Sequence, residues 1–212
     1  HVLAYSRSSD PGFDLEDEAR IAACAAHAAS HGPLHLVLDA TGALHIDGQG
    51  PEKRLGALDP QRLARAFAVN AIGPALLLKH FVPLLAQDAP VIFATLSARV
   101  GSIEDNRTGG WYGYRASKAA LNMLLKTSAI EYQRTLPELR FIAFHPGTTD
   151  TPLSKPFQRS VPEGKLFTPD FVAASLLARL SEALAPVEEE AGDNRKRPPA
   201  RFVAWDGSEI PW

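Results

Sequence analysis

The 212-residue sequence predicts a single α/β domain: a doubly wound parallel sheet with helices on both faces. Three observations carry this. Short apolar runs alternate along the chain with longer stretches of helical periodicity, and parallel strands joined by helices give that alternation. No internal repeat or low-complexity tract interrupts it. The length suits one domain, and a content of 45% hydrophobic and 22% charged residues is that of an ordinary globular protein.

His1–Tyr5 reads as a strand closed by the polar turn Ser6–Gly12, and Phe13–Leu15 as a brief second strand. From Glu16 onward, Ala19, Ala22, Ala23, Ala26 and Ala29 recur at helical spacing until Gly32-Pro33 stops them. Leu34–Leu38 is a buried strand feeding Asp39-Ala40-Thr41-Gly42. After the charged, glycine-rich loop Asp47–Gly56, Asp59 caps a helix with Pro60 at its first position, and apolar residues run on towards Leu85. Val91–Leu96 is a strand, Trp111–Leu136 a helix and Leu139–Phe144 a strand ending in His145-Pro146-Gly147. A last helix covers Pro169–Leu184, a charged loop Glu188–Arg197, and a closing strand Arg201–Trp205.

Composition narrows the function. Twenty-two basic against twenty-four acidic residues, a formal charge of −2, provide no basic field for a nucleic-acid backbone. The lone Cys24 forms no internal disulfide or cysteine zinc site and reads as a small core residue. No uninterrupted apolar run reaches the roughly 18 residues of a membrane span. The expectation is a cytoplasmic enzyme or binding domain without metal. His27 and His31 stand at i, i+4, a spacing metals use, but no third ligand is evident and they read as packing residues.

In such sheets ligands bind beyond the carboxyl ends of the strands. Tyr114 and Lys118, four apart, share one helix face there. A phenol with a pKa of about 10 is a poor acid–base group at neutral pH, and a neighbouring ammonium favours its ionised form. Gly113, Ala116, Ser117, Ala119 and Ala120 around the pair let the backbone approach a flat ligand.

These residues resemble the short-chain dehydrogenase/reductase family. Tyr114-Arg115-Ala116-Ser117-Lys118 matches its Tyr-x-x-x-Lys. Asp39-Ala40-Thr41-Gly42 stands where the family has Asn-Asn-Ala-Gly, and Asn70-Ala71-Ile72-Gly73 matches its Asn-x-x-Gly. Leu96–Ile103 matches the serine strand end, and His145–Thr151 the Pro-Gly loop. Within the family the chain is most similar to C-factor-like members, a subgroup akin to carbonyl reductases, through Val100–Ile103, Gly110–Tyr114 and Ala204–Gly207.

The resemblance implies hydride transfer between a nicotinamide and a carbonyl or alcohol carbon. Tyr114 would be the general acid, Lys118 would lower its pKa and hold the ribose, and Asn70 would anchor a relay water. A serine would hold the substrate oxygen. The family's second serine is here Ala98, so Ser97 takes that role, with Ser102 the alternative. Ser6 and Arg7 would follow the second strand, Arg7 meeting an adenosine 2′-phosphate, which favours NADP over NAD. Asp14 and Leu15 would border the adenine. Ala40, Thr41 and Gly42, with Pro146, Gly147, Thr149 and Thr151, would complete the cofactor site.

Residues 104–112 and 152–167 would line the substrate pocket, with 151–168 a lid. Trp111 and Tyr112 favour an apolar or aromatic carbonyl compound. The family resemblance also implies a homodimer or homotetramer. Two other readings stand beside the enzyme: a low-turnover binding or signalling protein of the C-factor kind, and a nicotinamide-dependent epimerase or dehydratase. The family's first strand and glycine-rich turn precede the position of His1, so the resemblance implies that about 25 to 30 residues belong ahead of it.

Overall fold

Alternation of side chains along a central strand builds this fold. In the computed structural model, which describes residues 1–185 and 198–212, four parallel strands lie in the order β1 (Leu36–Asp39), β2 (Val91–Leu96), β3 (Leu139–His145) and β6 (Ala200–Ala204). Phe93, Phe141, Ala143 and Phe202 face one side, where α1 (Glu18–Ala29), α3 (Gly73–Phe81) and α4 (Tyr112–Tyr132) cover them. Ile92, Ala94, Ile142, Phe144 and Val203 face the other, packed on α5 (Pro169–Leu184) through Val172, Leu176 and Leu180. The expected helices on both faces of a parallel sheet are present.

Local signals placed most boundaries. The Asp59 carboxylate accepts from Arg62 N at 2.8 Å, and Pro60 starts α2 (Pro60–Phe67). Thr168 caps α5 through Phe171 N. The single long helix expected towards Leu85 is interrupted, because Pro74 brings no N–H to the carbonyl four residues back, that of Asn70. The helix widens there into a π turn, Ala68–Ile72, before α3 resumes. Length and composition would let the run Pro60–Leu84 cross a membrane, but Ala71, Leu77, Leu78 and Phe81 are buried in this core.

Two expected strands are not formed. His1–Tyr5 and Phe13–Leu15 carry no ladder, because no strand of the described residues lies alongside them to exchange backbone hydrogen bonds. Tyr5 is held by its side chain instead, its hydroxyl 2.8 Å from His27 Nδ1. Among the described residues β1 pairs only with β2, and Leu36 and Leu38 on it are each 44% exposed. Trp111 precedes α4 rather than opening it, and α4 stops at Tyr132. The short pair β4 (Thr148–Thr149) and β5 (Leu166–Phe167) closes the expected lid segment, whose middle is a 3-10 helix, Lys155–Ser160. The charged loop Glu188–Arg197 lies outside the described residues.

The brief Phe13–Leu15 stretch is locked onto the π-turn helix: a Cβ on Gly73 would stand 2.8 Å from Leu15 Cβ, Cδ2 and backbone O. Gly73→Ala should therefore lower stability by about 1–3 kcal/mol despite alanine's better helix propensity. Thermal denaturation checks this, and an unchanged or higher Tm contradicts it.

Candidate functional site

The carboxyl ends of β1 and β2 converge on one buried acid. Asp39, 3% exposed, accepts from Thr41 N at 2.9 Å and from the Thr41 hydroxyl, which fixes the turn after β1. Its second oxygen accepts from Thr95 Oγ1 at 2.8 Å, tying β1 to β2. The resemblance expects asparagine here; the acid holds the turn with one oxygen and β2 with the other.

The turn leads to Gly42, whose φ of +144° disfavours a side chain. A Cβ there would sit 3.2 Å from Lys118 Nζ and 3.4 Å from Asn70 Oδ1. Asn70, on the π turn, donates through Nδ2 to Ala43 O at 2.8 Å and to Ser117 Oγ at 3.2 Å, and accepts from Ala43 N at 2.8 Å. Its side chain thereby pins the chain after Gly42 to α4.

Lys118 is 3% exposed and donates to Leu96 O at 2.8 Å, leaving two of its three N–H bonds without a hydrogen-bond partner among the described residues. Burial pushes its pKa down to about 8, with Asp39 pulling the other way. Gly101 lets the loop after β2 lie on this helix, since a Cβ there would meet Lys118 Cβ at 2.9 Å.

Tyr114 stands one turn before Lys118. Burial pushes its phenol up to about 12, and no described residue hydrogen-bonds its hydroxyl. Desolvation dominates this group, and the neighbouring lysine does not offset it. Around it stand aromatic rings: Trp111 with its centroid at 6.3 Å, Phe157 at 4.9 Å from Trp111, and His45 stacked on Phe157 at 5.7 Å.

The two candidate serines have hydrogen-bond partners of their own. Ser97 is buried and donates to Asn122 Oδ1 at 2.7 Å, and Asn122 Nδ2 reaches Gly101 O at 3.4 Å. Ser102 Oγ accepts from Asp105 N, as a turn serine does.

The Pro146-Gly147 loop follows β3, with a Cβ on Gly147 only 2.6 Å from the Phe167 ring. His145 Nδ1 and Thr149 Oγ1, flanking this loop, are buried without a hydrogen-bond partner among the described residues. Burial and nearby Arg99 push His145 down to about 4. Ser154 Oγ donates to Thr149 O at 2.5 Å, and Thr151 Oγ1 reaches the same carbonyl at 3.5 Å.

Farther out, Ser6 and Ser9 hydrogen-bond each other in the first turn, while Arg7 is exposed and forms no ion pair among the described residues. Asp14 Oδ1 accepts from Glu16 N. Ala40 is exposed beside the half-buried Thr41.

The structure thus brings Asn70, Tyr114, Lys118 and the Thr41–Gly42 turn together, and commits Ser97 to Asn122. Three residues that sequence reasoning missed support the group, Thr95, Asn122 and Glu52, whereas Phe157 lies in the expected pocket lining. Only Asn122 carried a signal, its i+4 spacing from Lys118. The residues fit a nicotinamide dinucleotide: the Thr149 hydroxyl and the Lys118 N–H bonds, without other partners among the described residues, are donors suited to ribose and carboxamide.

A family model described as enoyl-(acyl carrier protein) reductase matches residues 11–183. A 1-hydroxy-2-glutathionyl-2-methyl-3-butene dehydrogenase from Rhodococcus is 31% identical over 206 residues, spanning 96% of this chain and 80% of the relative. C-signal from Myxococcus xanthus is 32% identical over 182 residues, spanning 85% and 94%. Among solved structures, an NADPH-bound carbonyl reductase from chicken fatty liver superposes with a TM-score of 0.74 at 23% identity, covering 95% of this chain and 76% of that one.

The depressed Lys118 pKa has a stability consequence. Between about pH 8 and 10.5 the unfolded chain holds this proton more tightly than the fold does, so stability rises with pH across that window. Lys118→Met should be more stable than the parent at pH 7 by about 2 kcal/mol, after allowing for the hydrogen bond lost at Leu96. The advantage should fade towards pH 10.5. Denaturant unfolding at both pH values checks it; a variant less stable than the parent at pH 7 contradicts it.

Proposed function

This chain belongs to the short-chain dehydrogenase/reductase family, and from that membership we propose that it transfers a hydride between NADP(H) and a carbonyl or alcohol substrate. The observation that carries the reading is the convergence of Tyr114, Lys118, Asn70 and Gly42 at the ends of β1 and β2. When bound, the nicotinamide supplies or accepts the hydride.

The chain's own residues do the rest. Tyr114, its phenol raised to about 12, keeps its proton at neutral pH and is the acid that delivers it to the carbonyl oxygen during reduction. Lys118 is still mostly charged at pH 7 and gives its free N–H bonds to the ribose hydroxyls. In the other direction its charge favours the phenolate that takes a proton from an alcohol. Asn70 holds the backbone of Gly42–Ala43 so that the turn with Ala40 and Thr41 presents a flat surface. Pro146, Gly147, Thr149 and Thr151 close the opposite side. Asp14 and Leu15 border the adenine, and Ser6 and Arg7 take the 2′-phosphate, for which the exposed, unpaired guanidinium is suited.

Trp111, Phe157 and His45 make the wall beside Tyr114 aromatic, which supports an apolar or aromatic carbonyl substrate, with residues 151–168 as its cover. Exposed Met123 and Ile130 on α4 and Ile72 beside it support pairing of copies as a homodimer or homotetramer. The reading places the protein in the cytoplasm.

A second reading, a binding or signalling protein with little turnover, is favoured by one observation. Ser97 is committed to Asn122, and Ala98 offers no hydroxyl for polarising a substrate carbonyl. Two measurements separate the readings. With a panel of aldehydes and ketones, Tyr114→Phe should lower NADPH-dependent kcat at least about 100-fold while the rise in Tm on adding NADPH persists. No turnover by the parent with any substrate, together with an NADPH-induced rise in Tm, favours the binding reading. Arg7→Ala should raise the KM for NADPH about tenfold and leave that for NADH unchanged; equal effects on both would contradict the 2′-phosphate role.

A further inference from the structure

Tyr114 lies in the first turn of α4, where a helix is least determined. The first amides there lack carbonyl partners within the helix and are normally satisfied by a serine, threonine, aspartate or asparagine at the cap. Here the cap is Trp111, in the left-handed region with φ +53° and no side-chain acceptor. The task falls to a residue 61 positions earlier in the chain: Glu52 Oε2 accepts from Gly113 N at 3.0 Å. The backbone carbonyl of the same residue accepts from Trp111 N at 2.5 Å. Glu52 therefore grips both sides of the helix start, immediately before Tyr114.

Three further facts fit. Glu52 is only 6% exposed, although it sits in the polar stretch Pro51-Glu52-Lys53-Arg54. Its negative charge meets the positive end of a 21-residue helix. Gly113 is what allows the approach: a Cβ there would stand 3.2 Å and 3.4 Å from the two carboxylate oxygens. Glu52 and Tyr114 also line one small cavity with Asn70 and Arg62, so a shift of the carboxylate is felt at the site itself.

We propose that Glu52 is a positioning residue, whose buried carboxylate caps α4 in place of Trp111 and holds Tyr114 in register with Lys118. Its catalytic consequence rests on the oxidoreductase reading above; its structural consequence does not. The fold of the strands needs no such contact, since α4 is anchored independently through Leu125 and Ala129 in the core.

The test uses Glu52→Ala, Glu52→Gln, Gly113→Ala and the double variant, with two readouts. One is NADPH-dependent carbonyl reduction. The other is the titration of the Tyr114 phenol by ultraviolet difference against Tyr114→Phe. Glu52→Ala should lower kcat about tenfold with the KM for NADPH within twofold, and should move the Tyr114 midpoint down by about one pH unit as water reaches the first turn. Glu52→Gln, whose amide oxygen still accepts from Gly113 N, should recover most of both. Gly113→Ala displaces the carboxylate and should mimic Glu52→Ala, but should add nothing in the double variant.

A folded Glu52→Ala with parental kcat and parental Tyr114 titration overturns the proposal. If Glu52→Ala does not fold, parental values for Gly113→Ala overturn it equally. If the parent reduces no carbonyl compound, the oxidoreductase reading fails, and the phenol titration alone decides the position of Tyr114.

Discussion

A lysine ammonium buried at the end of a parallel sheet has to be surrounded by acceptors, and that requirement organises the molecule. Lys118 finds the Leu96 carbonyl at the end of β2 and the nearby charge of Asp39 at the end of β1. Asp39 can stand there because Thr41 and Thr95 share its lone pairs, and Thr95 belongs to the fully buried run of β2. The helix bearing Lys118 can come close because Gly101 and Gly42 carry no side chain. Removal of any of these would leave a buried charge poorly satisfied, a costly condition in a protein interior. The compensation is incomplete, as the pKa pushed down to about 8 records.

The same enclosure determines what the neighbouring tyrosine can do. Desolvation keeps the Tyr114 proton in place, which suits a group that must give it up only to a developing alkoxide. A ligand with hydroxyl groups would meet the free N–H bonds of Lys118, converting incomplete satisfaction into binding. Site and fold are therefore one set of interactions rather than a scaffold with chemistry added.

Much of this was legible in the sequence because it rests on local rules. Asp59-Pro60 announced a helix start, and the last helix, read as Pro169–Leu184, is α5. The i, i+4 spacing of Tyr114 and Lys118 placed the pair on one face. What could not be read depends on contacts between distant segments. His1–Tyr5 has the composition of a strand, but a strand exists only beside another, and none of the described residues supplies one. Asn70 on the π turn engages Ala43, 27 residues away, and nothing beside either residue in the sequence reveals that contact. Ser97 had a plausible position along the chain, yet Asn122 determines where its hydroxyl points. Glu52 read as one more charge in a solvated loop, because nothing nearby in sequence reveals that Gly113 receives it.

The enclosure of Lys118 and its coupling to a nicotinamide dinucleotide can be observed at a single nucleus. In protein labelled with carbon-13 lysine, the Lys118 ε-carbon, assigned by its loss in Lys118→Met, should titrate near pH 8 without ligand. With saturating NADPH the midpoint should rise, since hydrogen bonds to the ligand favour the charged ammonium. A midpoint near the ordinary lysine value of about 10.4 would contradict the burial of the charge, and one that NADPH leaves unmoved would contradict the role assigned to it.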